Sequence, residues 1–265
     1  MEIVRAENVS ITYDGIKDAV SDVSFSVEEG QIVGIVGESG SGKSTILHGL
    51  QGLLPRTSAQ KGTIALFGKD IAAMSAAELK RIRGRDVAMI FQDTGRYMNP
   101  ISRIGKQYTA FLKIHEKKPV SELIELEKEM LKRVHLEDAD RILNSYPFEL
   151  SGGMRQRVGI AMAMSLKPEL LLADEPTSAL DVTVQTQVIH EMMELRRKYG
   201  TTIIFVTHSR GVADYMADVL GVMQNGKMVE WGKTEDIISF PRQEYTKSLL
   251  SSVIELRDDR LAATV

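Results

Sequence analysis

An α/β fold, with a parallel-sheet core, an N-terminal antiparallel β subdomain and a helical insertion, is predicted by three features of this 265-residue sequence. First, short runs that are apolar throughout recur along the chain: QIVGIVG (Gln31–Gly37), VAMIF (Val87–Phe91), LLLA (Leu170–Ala173) and IIFV (Ile203–Val206). Strands covered on both faces of a parallel sheet read in this way, because neither side of the strand meets water. Second, the first thirty residues alternate instead, with Val9, Ile11 and Tyr13 on one face, then Val23, Phe25 and Val27, and Gly30 closing the second strand. Third, from about Thr94 to Leu150 the pattern turns helical and charged, as in SELIELEKEMLKRV (Ser121–Val134).

Two further elements follow the same logic. TVQTQVIHEMMELRRKYG (Thr183–Gly200) carries Val188, Met192 and Leu195 at helical spacing and stops at Gly200. VLGVMQNGKMVEWG holds Asn225-Gly226 between strand-like arms, and that turn favours residues tolerant of positive φ. One unit over residues 1–265 is expected, with the sheet core over 1–93 and 151–253 and a helical subdomain over 94–150. The tail at 254–265 is polar and expected to be loosely ordered.

Composition narrows the functional classes. With 43% hydrophobic residues, 26% charged residues and a net charge of −3, the chain reads as ordinary globular protein. No broad basic field points to nucleic acid, and 6% aromatics give little material for base stacking. The lack of cysteine rules out disulfides and thiolate metal sites. No stretch reaches the roughly 18 consecutive apolar residues that a membrane-spanning helix requires. The start, MEIVRAENVS, has no apolar signal core, so export is not expected.

The chemistry concentrates in three motifs. Gly37-Glu38-Ser39-Gly40-Ser41-Gly42-Lys43-Ser44 fits G-x-x-x-x-G-K-[ST] and sits between a buried strand and a helix, followed by Thr45. Glycines let the backbone curl so that its N–H groups face phosphates, and the helix adds its positive end. Lys43 is placed to reach the β and γ phosphates of ATP, and the Ser44 hydroxyl to ligate Mg²⁺. The strand Leu170–Ala173 then delivers Asp174 and Glu175 at its carboxyl end. Asp174 is expected at Mg²⁺, and Glu175 as the general base for the attacking water. In Leu150-Ser151-Gly152-Gly153, Ser151 is an N-cap candidate, and the two glycines leave the first N–H groups of a helix uncovered. His48, His115, His135 and His190 show no metal-ligand spacing.

LSGGMRQR (Leu150–Arg157) resembles the signature of the ABC ATPase family, which joins it to a P-loop and a DE pair in this order. The resemblance runs from about Ile3 to Val253 and implies a P-loop NTPase core of the RecA-like kind. It implies that Ser151, Gly152 and Gly153 grip the γ-phosphate of ATP bound on an opposite subunit. It further implies that Gln92 senses Mg²⁺ and water, that Asp181 lies in a loop crossing between subunits, and that His208 contacts the γ-phosphate. Tyr13 resembles the aromatic that stacks on adenine, with a core tyrosine as the competing reading.

Within the family the chain is most similar to the ATPases of peptide, opine and nickel importers, through GESGSGKST (Gly37–Thr45), GLLP (Gly52–Pro55), IRGRDVAMIFQD (Ile82–Asp93) and YTKSLL (Tyr245–Leu250). That likeness implies a heterodimer with a paralogous ATPase, seated below two permease subunits at the cytoplasmic face of the membrane and served indirectly by a solute-binding protein. Two departures lean toward nickel or metal-chelate import. TGRYMNP (Thr94–Pro100) stands where peptide-importing relatives read close to PMTSLNP, and no cysteine-rich extension follows. Arg96, Tyr97 and Met98 are either a permease-docking surface or a solvated loop. The alternatives are a soluble, non-transport ABC ATPase and a nucleotide-gated binding module without turnover. A GTPase is disfavoured because no N-K-x-D motif follows the P-loop.

Overall fold

A computed structural model describes residues 1–13 and 15–252, so the expected tail at 254–265 lies outside the described residues. Strands β1 (Glu2–Thr12) and β2 (Asp18–Glu28) pair antiparallel, with Ala6 opposite Phe25 and Val9 opposite Val23. Strand β3 (Ile32–Val36) is buried along its whole length and leads through the glycine-rich loop into α1 (Lys43–Leu50). β4 (Ala59–Leu66) pairs with the free edge of β1, and β5 (Lys69–Asp70) extends it, giving a four-stranded sheet in the order β2-β1-β4-β5. α2 (Ala76–Ile82) begins at a capping box of Ser75 and Glu78 and precedes β6 (Val87–Ile90).

The helices α3 (Ile104–His115), α4 (Val120–Arg133), α5 (Ala139–Asn144) and α6 (Gly152–Met164) follow as one block. The chain then alternates through β7 (Leu170–Asp174), α7 (Val182–Tyr199), β8 (Thr202–Val206), α8 (Arg210–Met216) and β9 (Val219–Gln224). It continues with β10 (Lys227–Lys233), α9 (Thr234–Ser239) and α10 (Glu244–Ser252). The second sheet has the order β10-β9-β3-β8-β7-β6 and is parallel except for the β9–β10 hairpin. Asn225 and Gly226 turn that hairpin with φ of 49° and 80°, the two positive values that a type I′ turn requires.

Layering explains why the central strands read as unbroken apolar runs. Ala88, Ile90, Leu171, Ala173, Ile203 and Phe205 face one core, shared with α3, α4, α6 and α7. Their neighbours Val87, Met89, Leu170, Leu172, Ile204 and Val206 face the other, shared with α1 and the antiparallel sheet. The parallel sheet is therefore sandwiched, and the expected α/β class is the observed one. Truncating one such residue, Phe205 (0% exposed) for example, would cost about 3–5 kcal/mol.

Two strand ends fall short of the sequence expectation. β1 stops at Thr12, so Tyr13 lies just beyond it, and β6 stops at Ile90, one residue before the expected Phe91 and two before Gln92; β8 ends at Val206 as expected, two residues before His208. In each case the backbone leaves the ladder to enter a loop at the sheet's edge. Among the described residues, no helix is long and apolar enough to cross a membrane.

Candidate nucleotide-binding and hydrolysis site

Parallel strands bring their carboxyl ends to one edge of the sheet, and ligands of open α/β sheets bind outside that edge. The loops after β3, β6, β7 and β8 carry Lys43, Gln92, Glu175 and His208 to this edge, although they are scattered through the sequence.

The loop after β3 is held from outside. Gly226 at the hairpin tip donates its N–H to the Ser41 carbonyl at 3.0 Å. A Cβ at Gly37 (φ +152°) would lie 2.2 Å from the Met223 carbonyl oxygen, and one at Gly42 (φ +101°) 2.4 Å from that of Ala19. Both positions thus need glycine for space as well as for backbone conformation. Glu38, Ser39 and Gly40 are exposed on the rim, whereas Ser41 is buried. Lys43 Nζ donates to the carbonyls of Gly37 at 2.8 Å and Glu38 at 2.7 Å. Burial pushes the Lys43 ammonium pKa down, against the opposing pull of Glu175, Asp174 and Glu38. A poorly hydrated ammonium attracts phosphate, and the carboxylates of Glu175, Asp174 and Glu38 favour its charged form.

Ser44 Oγ donates to Asp174 Oδ1 at 2.9 Å. Burial raises the Asp174 pKa, with the Ser44 hydrogen bond and the nearby His48 partly offsetting it. A hydroxyl and a buried carboxylate form a hard, all-oxygen donor pair, suited to Mg²⁺ but too small to hold it unaided. The pair fits a cation that takes its other ligands from phosphates and water.

Glu175 forms the centre of the second group. Gln92 Nε2 donates to Glu175 Oε2 at 3.0 Å, and His208 Nε2 contacts Glu175 Oε1. Glu175 has φ +45°, a left-handed conformation unusual for a residue with a side chain, and its N–H donates to the Val206 carbonyl at 3.1 Å. Non-glycine strain of this kind costs about 1–3 kcal/mol and clusters at functional sites. Tyr13 is half-buried beside α1, its hydroxyl 3.2 Å from Thr45 Oγ1.

Ser151, Gly152, Gly153 and Asp181 gather elsewhere. Ser151 caps α6 by accepting from the Met154 N–H at 3.3 Å, and Asp181 caps α7 by accepting from the Val184 N–H at 3.0 Å. A Cβ at Gly153 would sit 3.5 Å from the Ala179 carbonyl oxygen, so these two segments adjoin. Neither Ser151 nor Asp181 hydrogen-bonds to the glycine-rich loop among the described residues. Gln156, given no role of its own within LSGGMRQR, links the groups. Its Nε2 donates to the carbonyls of Phe91 at 3.0 Å and Pro176 at 3.2 Å, the neighbours of Gln92 and Glu175, and its Oε1 accepts from Thr94 Oγ1 at 2.9 Å. Its place in LSGGMRQR, one turn into α6 on the inward face, is the signal that could have marked it.

Comparison with known proteins decides the family. A family profile described as ABC transporter matches residues 20–178. The oligopeptide transport ATP-binding protein AmiE of Streptococcus pneumoniae is 41% identical over 264 residues, covering 97% of this chain and 74% of AmiE. The chain belongs to the ABC transporter family. The metal-staphylopine import system ATP-binding protein CntD of Staphylococcus aureus is 38% identical, over 90% of this chain and 88% of its own length. Among solved structures, the ATP-binding cassette MJ0796, a dimer in a post-hydrolysis state with ADP and Pi, aligns with a TM-score of 0.80 and 29% identity, over 88% of this chain and 99% of that one. As an ABC transporter ATPase, the chain binds and hydrolyses ATP.

Proposed function

We propose that this subunit drives an importer for a peptide, nickel or metal-chelate solute, working as a heterodimer with a paralogous ATPase on the cytoplasmic face of the membrane. The named relatives serve oligopeptide and metal-staphylopine transport. Two permease subunits receive the work of the dimer, and a solute-binding protein supplies the cargo from the other side.

The observation that carries the catalytic reading is the Glu175 carboxylate held between Gln92 and His208, at the sheet edge that also bears Lys43. ATP lies with its phosphates along the loop Gly37–Thr45, its adenine against Tyr13. Ser44 and Asp174, together with Gln92, would hold Mg²⁺, which would neutralise charge on the phosphates. Glu175 accepts a proton from the attacking water as the bond to the γ-phosphorus forms, and His208 steadies the γ-phosphate. Ser151, Gly152 and Gly153 present free N–H groups at the start of α6 to the γ-phosphate of the partner's nucleotide, and Asp181 crosses beside them. That neither Ser151 nor Asp181 hydrogen-bonds to the Lys43 loop among the described residues is consistent with a site shared between two chains. Most of the acceleration then comes from positioning and charge stabilisation.

Reconstitution with the permeases and the paralogous ATPase tests the transport reading. Hydrolysis should rise when a solute-binding protein loaded with peptide or metal chelate is added. Hydrolysis indifferent to permeases and to every loaded binding protein would favour a soluble ATPase instead.

A further inference from the structure

α10 carries a residue that touches the nucleotide loop from outside its motif. Tyr245 and Leu249, one turn apart on α10, pack against the apolar group formed by Val36, Leu220, Val222 and Ile237. Val36 is the last residue of β3, immediately before the loop. From this seat the Tyr245 hydroxyl accepts a hydrogen bond from the Glu38 N–H at 3.0 Å. The carbonyl of Glu38 accepts from Lys43 Nζ at 2.7 Å, so one residue of the loop is held on both sides, by Tyr245 and by the phosphate-seeking lysine.

α10 itself is anchored at both ends. Before it starts, the N–H groups of Arg242 and Gln243 donate to Glu230 Oε1 on β10 at 2.6 and 3.0 Å. Near its end, the Leu250 carbonyl accepts from Arg210 at 3.1 Å, two residues beyond His208. A helix tied in this way gives Tyr245 a fixed position from which to hold a flexible loop.

We propose that Tyr245 is a positioning residue for ATP binding: its hydroxyl fixes the Glu38 amide and so pre-shapes the loop that receives the phosphates. Without that bond the peptide between Gly37 and Glu38 keeps only the bond from Lys43 Nζ to the Gly37 carbonyl, and the loop must be ordered further at the expense of binding. The inference rests on ATP occupying this loop, and Lys43→Ala, which should abolish binding, checks that premise separately.

The test compares Tyr245→Phe and Tyr245→Leu in the full chain, measuring ATP affinity by titration and stability by thermal melting. Tyr245→Phe keeps the packed ring and removes only the oxygen. It should weaken ATP about three- to tenfold, the range for one net hydrogen bond. Its melting temperature should stay within about 2 °C of the parent. Tyr245→Leu should melt lower still but weaken ATP no further than Tyr245→Phe. Unchanged ATP affinity in Tyr245→Phe would overturn the proposal, as would weakening confined to Tyr245→Leu, because the ring's packing would then be the whole role.

Discussion

Gln92 and Glu175 stand 83 residues apart in the chain, yet their side chains meet at 3.0 Å across the ends of the neighbouring strands β6 and β7. His208, beyond the end of β8, contacts the other oxygen of Glu175. Since β6 borders the helical block, a shift of that block relative to the sheet would be felt at Glu175 through Gln92.

Gln156 makes that link rigid, since one buried amide holds the carbonyls next to both Gln92 and Glu175. Gln156→Leu removes these bonds and takes away the nearer acceptor of the Thr94 hydroxyl, leaving it the Phe91 carbonyl at 3.4 Å. Stability should fall by about 2–3 kcal/mol. Turnover in the assembled transporter should fall by about tenfold or more, while ATP affinity changes by less than about threefold. Denaturant unfolding beside steady-state ATPase assays reads both effects.

Gly153→Asp places a carboxylate at the start of α6, where open N–H groups face the partner's nucleotide in the proposed arrangement. ATP binding to the isolated chain should persist, while hydrolysis by the assembled pair collapses. If binding to the isolated chain fell as far as it does in Lys43→Ala, the shared-site arrangement would be wrong.

Glu127 is buried in α4 with one oxygen accepting from Thr109 and the other without a hydrogen-bond partner. Burial raises its pKa, with the Thr109 bond opposing. A carboxyl whose folded pKa is raised destabilises the fold above that pKa, and the penalty is relieved as pH falls through it towards the unfolded value. Glu127→Met should therefore stabilise the chain by about 1 kcal/mol at pH 7. The gain should shrink as pH is lowered through the raised pKa. Melting curves at several pH values test this, and a gain independent of pH would assign it to packing alone.

Arg96 pairs with Asp93 at 2.9 Å, and the Tyr97 ring, 63% exposed, stacks on Phe91 with centroids 4.1 Å apart. An exposed aromatic resting on the residue before Gln92 suits permease docking, which remains a proposal. Tyr97→Ala or Arg96→Glu should leave ATP binding intact and lower transport per ATP consumed. Transport and hydrolysis measured in the same vesicles would show it, and an unchanged ratio in both would reduce the stretch to a loop.

Much of this architecture was legible because burial leaves local marks. The two-sided strands, the Asn225-Gly226 hairpin and the α7 stop at Gly200 each follow from a few adjacent residues. β4 was not anticipated, because AQKGTIAL alternates only in its second half and owes its place to pairing with β1. The motifs named Glu175, Gln92 and His208 separately, but their meeting depends on the order of four strands, which no local pattern states. Gln156 and Tyr245 stand in the motifs LSGGMRQR and YTKSLL, but their contacts could not be read there for a related reason: each acts on a backbone group far away in sequence, and a backbone amide or carbonyl leaves no residue-type signature.

Glu175→Gln tests the central claim most directly, because it keeps the shape of the side chain and removes the base. ATP hydrolysis by the assembled transporter, measured beside ATP affinity of the mutant chain, is the decisive comparison. Turnover should fall by about 10²–10⁴-fold with ATP binding retained and nucleotide trapped in a stable dimer. Near-normal turnover in Glu175→Gln would contradict the account and remove Glu175 from the catalytic role.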